Sequence, residues 1–180
     1  MISPSKIVAS TVLLLGMAAC RKNEVAKMQL SVIDIPIQER NEGYLDWLHD
    51  HKDVLRTLQL RDPGKAIILK IPELNLYSPT GKLLYNGTDA AKNAAFLKGL
   101  EGGMPKDSSV TDDGLHPSLA DYLKIYPQLN SYKEAIAKEP RFTILAFTSK
   151  DFMICAPQNE AIASMPKGLD LRVLVVSLKK

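Results

Sequence analysis

The chain has 180 residues, 46% hydrophobic and 24% charged, with mean hydropathy −0.07. These values belong to a globular chain long enough for one domain with its own core. The formal net charge of +3 is too small and too dispersed to indicate a nucleic-acid surface.

Lys6 supplies a positive start, and Ile7 to Met17 (IVASTVLLLGM) is an apolar run of secretory length. A spanning helix needs about 20 residues, so this run is too short to cross a bilayer. Met17-Ala18-Ala19-Cys20 follows. The tetrapeptide resembles the lipobox of bacterial lipoproteins, with Met17 where that family usually has leucine. The resemblance implies cleavage before Cys20 and a diacylglycerol thioether on its sulfur. It also implies an address: the bacterial cell envelope, lipid-anchored to a membrane and facing the periplasm or exterior. The alternatives are an ordinary signal peptide cut after Ala19, or a short membrane anchor. The expected organisation is signal 1–19, tether 20–28 and a single domain over 29–180. Lys6 is the only charge in the signal, which leaves 22 basic and 20 acidic residues, net +2, in the remainder.

Met28 to Ile37 alternates loosely and predicts a strand limited by Pro36. From Asn41 the period changes. Tyr44, Leu45, Leu48, Leu55 and Leu58, widened by Trp47 and Val54, predict one amphipathic helix of about four turns, ended by Asp62-Pro63-Gly64. Ala66 to Ile71 suits a buried strand. Leu74 to Tyr77, the turn Ser78-Pro79-Thr80-Gly81 and Lys82 to Tyr85 read as a hairpin. Thr88 or Asp89 can cap a helix with apolar positions at Ala91, Ala95, Phe96 and Leu100. Glu101 to Gly114 is loop-like, and His116 to Glu139 predicts two short helices separated at Pro127. Phe142 to Thr148, Ala156 to Met165 and Leu169 to Leu178 predict strand, helix and strand, a parallel crossover inside a covered sheet.

Cys155 falls at the predicted start of the crossover helix. Free N–H groups and the helix dipole favour a thiolate there. With Cys20 lipidated, Cys155 is the only free thiol left and no internal disulfide can form. The reading favoured here is a packed sulfur, since unpaired cysteine is among the most buried residue types and Met153 and Ile154 beside it favour burial; a reactive thiol is the alternative.

The stretch FTILAFTSKDFM followed by Ile154-Cys155-Ala156-Pro157-Gln158 resembles the thioredoxin-like superfamily, especially its exported, membrane-tethered thiol–disulfide members. In their pattern a buried strand leads to W-C-x-P-C at a helix start. The resemblance makes Cys155 the attacking cysteine and Pro157 the motif proline, and it sets Gln158 where the resolving cysteine should be. Ile71-Pro72-Glu73-Leu74-Asn75-Leu76-Tyr77 with its turn and KLLYNG resembles a hairpin of the same family. Matched to the entry hairpin, it keeps the normal order, but the chain ends before the family's final strands. Matched to the late hairpin, it makes Pro72 the cis-proline, Gly87 the strand-end glycine and Asp89 to Leu100 the last helix, in permuted order. The implied fold class is α/β, a thioredoxin-like sandwich, incomplete or permuted, with extra N-terminal and inserted helices. The implied substrate-binding positions are Pro72, Pro157 and Gln158.

An amide at Gln158 removes self-contained disulfide reduction, which needs a second thiol to resolve the mixed disulfide. The expected function is therefore a lipid-anchored binding or assembly factor. The alternatives are a monothiol redox protein with Cys155 as nucleophile, or a structural lipoprotein with an inert cysteine. No cofactor or metal is expected. The expected partners are the membrane, through the lipid on Cys20, and an envelope protein. His49-Asp50-His51 with Asp53 reads as a solvated helix face, because residues two apart point to different sides. His116 reads as a helix entry and Trp47 with Tyr44 as core. Asp107 to Gly114 lacks the ligand spacing of an EF-hand, and no Walker, G-x-S-x-G, H-E-x-x-H or Rossmann fingerprint occurs.

Overall fold

The computed structural model describes residues 28–61, 71–105 and 114–180. The expected signal and lipobox, the expected tether up to Lys27, the turn expected at 62–64, residues 66–70 of the strand expected at 66–71 and residues 106–113 of the loop expected at 101–114 lie outside the described residues.

Five strands form one sheet: β1 (Gln29–Pro36), β2 (Glu73–Tyr77), β3 (Leu83–Gly87), β4 (Phe142–Thr148) and β5 (Leu171–Lys179). Their spatial order is β1-β5-β4-β2-β3. β5 pairs in parallel with both β1 and β4, whereas β2 runs antiparallel to β4 and to β3. The expected parallel crossover from β4 to β5 is present. β4 lies third of five, and its run FTILAFT is buried from Thr143 to Thr148 because helices cover both faces.

Alternation along the strands divides the core in two. Ile33, Ile35, Tyr77, Leu145, Phe147, Leu174 and Val176 face one layer, where they meet Leu119, Tyr122, Leu123, Tyr126 and Leu129. Leu74, Leu76, Ile144, Ala146, Val173 and Val175 face the other, against Leu97, Leu100, Ala161, Ile162 and Met165. The first layer contains α1 (Ile37–Asp50), α4 (Leu119–Ile125) and α5 (Asn130–Lys138), and the second contains α3 (Ala90–Gly99) and α6 (Ala156–Ala163). The result is a three-layer α/β/α arrangement. α1 can approach α4 closely because Gly43 lacks a side chain; a Cβ there would sit 2.6 Å from Cγ2 of Ile125.

Two expectations need correction. The single four-turn helix is two, α1 and α2 (Lys52–Arg61), broken at His51. His51 leaves helical geometry, its backbone N–H bonding to the carbonyls of Trp47 and Leu48 while Nδ1 approaches the Trp47 carbonyl at 2.8 Å. Its ring stacks on Trp47, with centroids 4.5 Å apart. A histidine that satisfies the helix end itself needs no glycine or proline signal. The second correction concerns α3, whose buried residues are Ala90, Asn93 and Leu97; of the expected positions Leu100 is buried and Phe96 packs partly buried against the core, whereas Ala91 and Ala95 are exposed. A buried asparagine shifts the face, and apolar periodicity cannot see it. The cap is as expected, with the Asp89 carboxylate accepting from Lys92 N at 2.9 Å. Pro127 also separates two helices as expected, through a 3₁₀ turn at Pro127–Leu129.

Candidate functional site

β4 ends at Thr148, and the following loop is pinned by Ser149. Its hydroxyl donates to the Leu178 carbonyl at 3.0 Å and accepts from Asp151 N at 3.2 Å. A 3₁₀ turn, Met153–Cys155, leads directly into α6, so Cys155 is the residue before the helix and Pro157 lies in its first turn. The sulfur-bearing side chain is fully buried and makes no capping hydrogen bond. Its two predecessors are the reverse: Met153 is 92% exposed and Ile154 65%. Phe152 is half-buried under Lys180, whose Nζ lies 5.5 Å from the ring centroid.

Gln158, three residues after Cys155, is fully buried. Its Oε1 accepts from Asn93 Nδ2 of α3 at 2.6 Å, and that same amide reaches the Gly87 carbonyl at 3.2 Å. Tyr85 OH donates to Asn93 Oδ1 at 2.8 Å. One polar chain thus ties α6, α3 and the end of β3. Gly87 is obligatory in it, because a Cβ would collide with Asn93 Oδ1 and the Tyr85 hydroxyl. Gln158 Nε2 is buried with no hydrogen-bond partner among the described residues. One residue further, Asn159 Oδ1 accepts from the Thr148 hydroxyl at 2.6 Å, fastening α6 to the end of β4.

The Ile71–Pro72 peptide bond is cis, and Pro72 is buried. Glu73 pairs with Phe147, so Pro72 stands level with Thr148, where the loop to Cys155 departs. The hairpin and the cysteine loop, remote in sequence, therefore meet at one end of the sheet. Pro157 is exposed on the same loop–helix junction, whereas Gln158 is turned inward and away from solvent.

Beside Pro72 lies a polar cluster that sequence reasoning missed. Arg40 Nη2 contacts Glu73 Oε2 at 2.6 Å, and both side chains are almost wholly buried. Glu73 Oε1 accepts from Asn75 Nδ2 and from Tyr122 OH, each at 2.8 Å. Asn86 Nδ2 extends the chain to Asn75 Oδ1 at 2.6 Å, and the Arg40 guanidinium carbon lies 4.6 Å over the Phe147 ring. Burial, reinforced by the Glu73 carboxylate, pushes the Tyr44 phenol up to about 12 and holds Tyr122 well above its ordinary value. Burial likewise raises Tyr126, whose hydroxyl donates to the Arg40 carbonyl at 2.9 Å. Glu73 carried one available signal: it opens a run in which every second residue faces a core. Arg40 carried none within the polar stretch around it.

The remaining candidates stay apart. His49 and His51 are exposed, and no group of three His, Cys, Asp or Glu side chains suited to a metal occurs among the described residues. His116 is half-buried ahead of α4, consistent with a helix entry. Trp47 and Tyr44 pack with Leu48 as core. Among the described residues no helix is long and apolar enough to cross a membrane. Neither a family model, a curated protein nor a solved structure matches the chain.

Chemically, the site joins a sulfur shut off from solvent, an amide tied into the helix interface and an exposed apolar pair. A thiol must reach its target to exchange, and an amide cannot resolve a mixed disulfide. Exposed methionine and isoleucine, in contrast, are suited to contact.

Proposed function

We propose that this chain is a lipid-anchored lipoprotein of the bacterial cell envelope whose domain is a degenerate, permuted thioredoxin-like sandwich. It acts as a binding or assembly factor and does not turn over a substrate. The permuted reading is supported by the strand order, by the antiparallel hairpin beside β4, and by the cis bond at Pro72 level with the cysteine loop. One observation carries the functional half: Cys155 is fully buried while Met153 and Ile154, directly before it, project into solvent. The end of the sheet that would present a nucleophile in an active relative presents apolar side chains instead. The N-terminal address rests on Lys6, the Ile7 to Met17 run and the lipobox at Cys20.

The experiment places a photo-reactive residue at Met153 of the full chain in cells, with a second series carrying Ile154→Lys. A discrete adduct at Met153, reduced at least tenfold by Ile154→Lys, is the expected result. No adduct above that of an exposed control position such as Lys133 contradicts a binding role for this surface. In parallel, Cys20→Ser should move the protein out of the membrane fraction, and unchanged membrane retention contradicts the anchor.

A further inference from the structure

The segment from the end of β4 into α6 turns every third residue inward. Ser149, Cys155 and Gln158 are buried and Phe152 is half-buried. Between them Lys150 and Asp151, Met153 and Ile154, and Ala156 and Pro157 are exposed in pairs. Three is the repeat of a 3₁₀ turn, in which side chains at i and i+3 eclipse, and Met153–Cys155 is such a turn. The apolar pair is thus carried on a short span between two inward residues, Phe152 and Cys155.

Hydrogen bonds close this span on both sides. The Ser149 hydroxyl joins the Leu178 carbonyl of β5 to Asp151 N, which fixes the departure of the loop. The Thr148 hydroxyl donates to Asn159 Oδ1 at 2.6 Å and closes the loop across its neck. α6, on which Asn159 sits, is itself tied to α3 through Gln158 and Asn93. Adjacent residues at one strand end therefore hold two different neighbours, β5 and α6. Both are buried, Thr148 at 4% and Ser149 at 1% exposure, so neither can touch a partner directly.

We propose that Thr148, with Asn159, and Ser149 are positioning residues that clasp the loop and hold Met153 and Ile154 in one outward presentation. The proposal rests on the binding role assigned to that pair above. A loop already held in its bound form loses less freedom on association, so the same contacts give a tighter complex. The clasp supplies that hold from hydroxyls that lie outside the contact surface.

The test exchanges hydroxyl against methyl in the full chain. Thr148→Val deletes the hydroxyl and keeps a branched side chain, whereas Thr148→Ser keeps the hydroxyl and deletes the methyl; Ser149→Ala is examined separately. Amide hydrogen exchange is read over residues 150–155, and the photo-adduct at Met153 is read in the same variants. Thr148→Val and Ser149→Ala should each speed exchange roughly threefold to tenfold, the range of one lost hydrogen bond, and should lower the adduct. Thr148→Ser should match the unmodified chain in both readouts. A packing role gives the reverse order, with Thr148→Ser the more disturbed, and overturns the clasp. Unchanged exchange in both hydroxyl deletions overturns it as well, and so does faster exchange with an undiminished adduct. An unmodified chain that gives no adduct overturns the binding role and the purpose assigned to the clasp, while exchange still reports whether the loop is held.

Discussion

At the scale of single residues, the tightest constraint is the Arg40–Glu73 pair. Two opposite charges out of water offset their desolvation only when their remaining hydrogen-bonding capacity is met. Asn75 and Tyr122 meet it for the carboxylate, and the Phe147 face lies under the guanidinium. Removing one partner strands the other. Arg40→Met alone, or Glu73→Leu alone, should therefore cost about 3–5 kcal/mol in urea denaturation. The double substitution should cost clearly less than their sum. Additivity within about 0.5 kcal/mol would show that the two side chains are not energetically coupled. Gln158 makes a similar point on the other face. Its amide oxygen accepts from Asn93, so the side chain serves as a bolt between α6 and α3.

At the scale of elements, strands and breaks were legible wherever one strong local cause sets them. Phe142 to Thr148 and the LRVLVV run announced buried strands because β-branched and apolar side chains fill both faces. Pro127 announced its break because proline removes a donor, and Asp89 announced its cap. The α1/α2 break at His51 was not legible, because it rests on a stacking contact with Trp47 and a backbone bond to Trp47 and Leu48. The burial of Asn93 was hidden for the same reason: its partners, Gly87, Tyr85 and Gln158, come from three other segments. The placement of Cys155 at a helix start was readable from local sequence. Its burial was readable from the general habit of unpaired cysteine, but not from its apolar neighbours, because Met153 and Ile154 are the exposed ones. The pairing of β2 with β4 was hidden as well, because it joins segments remote in sequence.

At the scale of the whole molecule, burial in the layer holding α1 and α4 raises the phenols of Tyr44, Tyr122 and Tyr126. The Tyr44 phenol is pushed up to about 12 by burial and then by the Glu73 carboxylate, and Tyr122 and Tyr126 lie above their ordinary value of 10.0 for the same leading reason. In the unfolded chain these groups lose their protons near 10. Between 10 and 12 the unfolded state therefore binds fewer protons than the folded one. Stability that is fully present below pH 10 is lost as pH rises toward 12. Urea midpoints should be insensitive to these groups from pH 8 to 9.5 and should fall from 10 to 11.5, less steeply in Tyr44→Phe. An equal fall in that variant would remove Tyr44 from the account.

Strand direction adds an orientation. β1, β5 and β4 all run toward the end where Pro72, the Ser149 loop and Cys155 gather, and the chain enters β1 at the opposite end. In the proposed account the tether from Cys20 thus joins the domain at the end remote from Met153 and Ile154, leaving that pair directed outward to a partner. The claim on which this rests is that Cys155 is a packed sulfur and not a working nucleophile. The most direct measurement is the rate at which a small thiol reagent labels Cys155 in the folded full-length chain, compared with the same chain in denaturant at the same pH. The account predicts labelling in the native state at least a hundredfold slower than in the denatured state. Native labelling at neutral pH as fast as, or faster than, the denatured rate would contradict it and return the protein to monothiol chemistry.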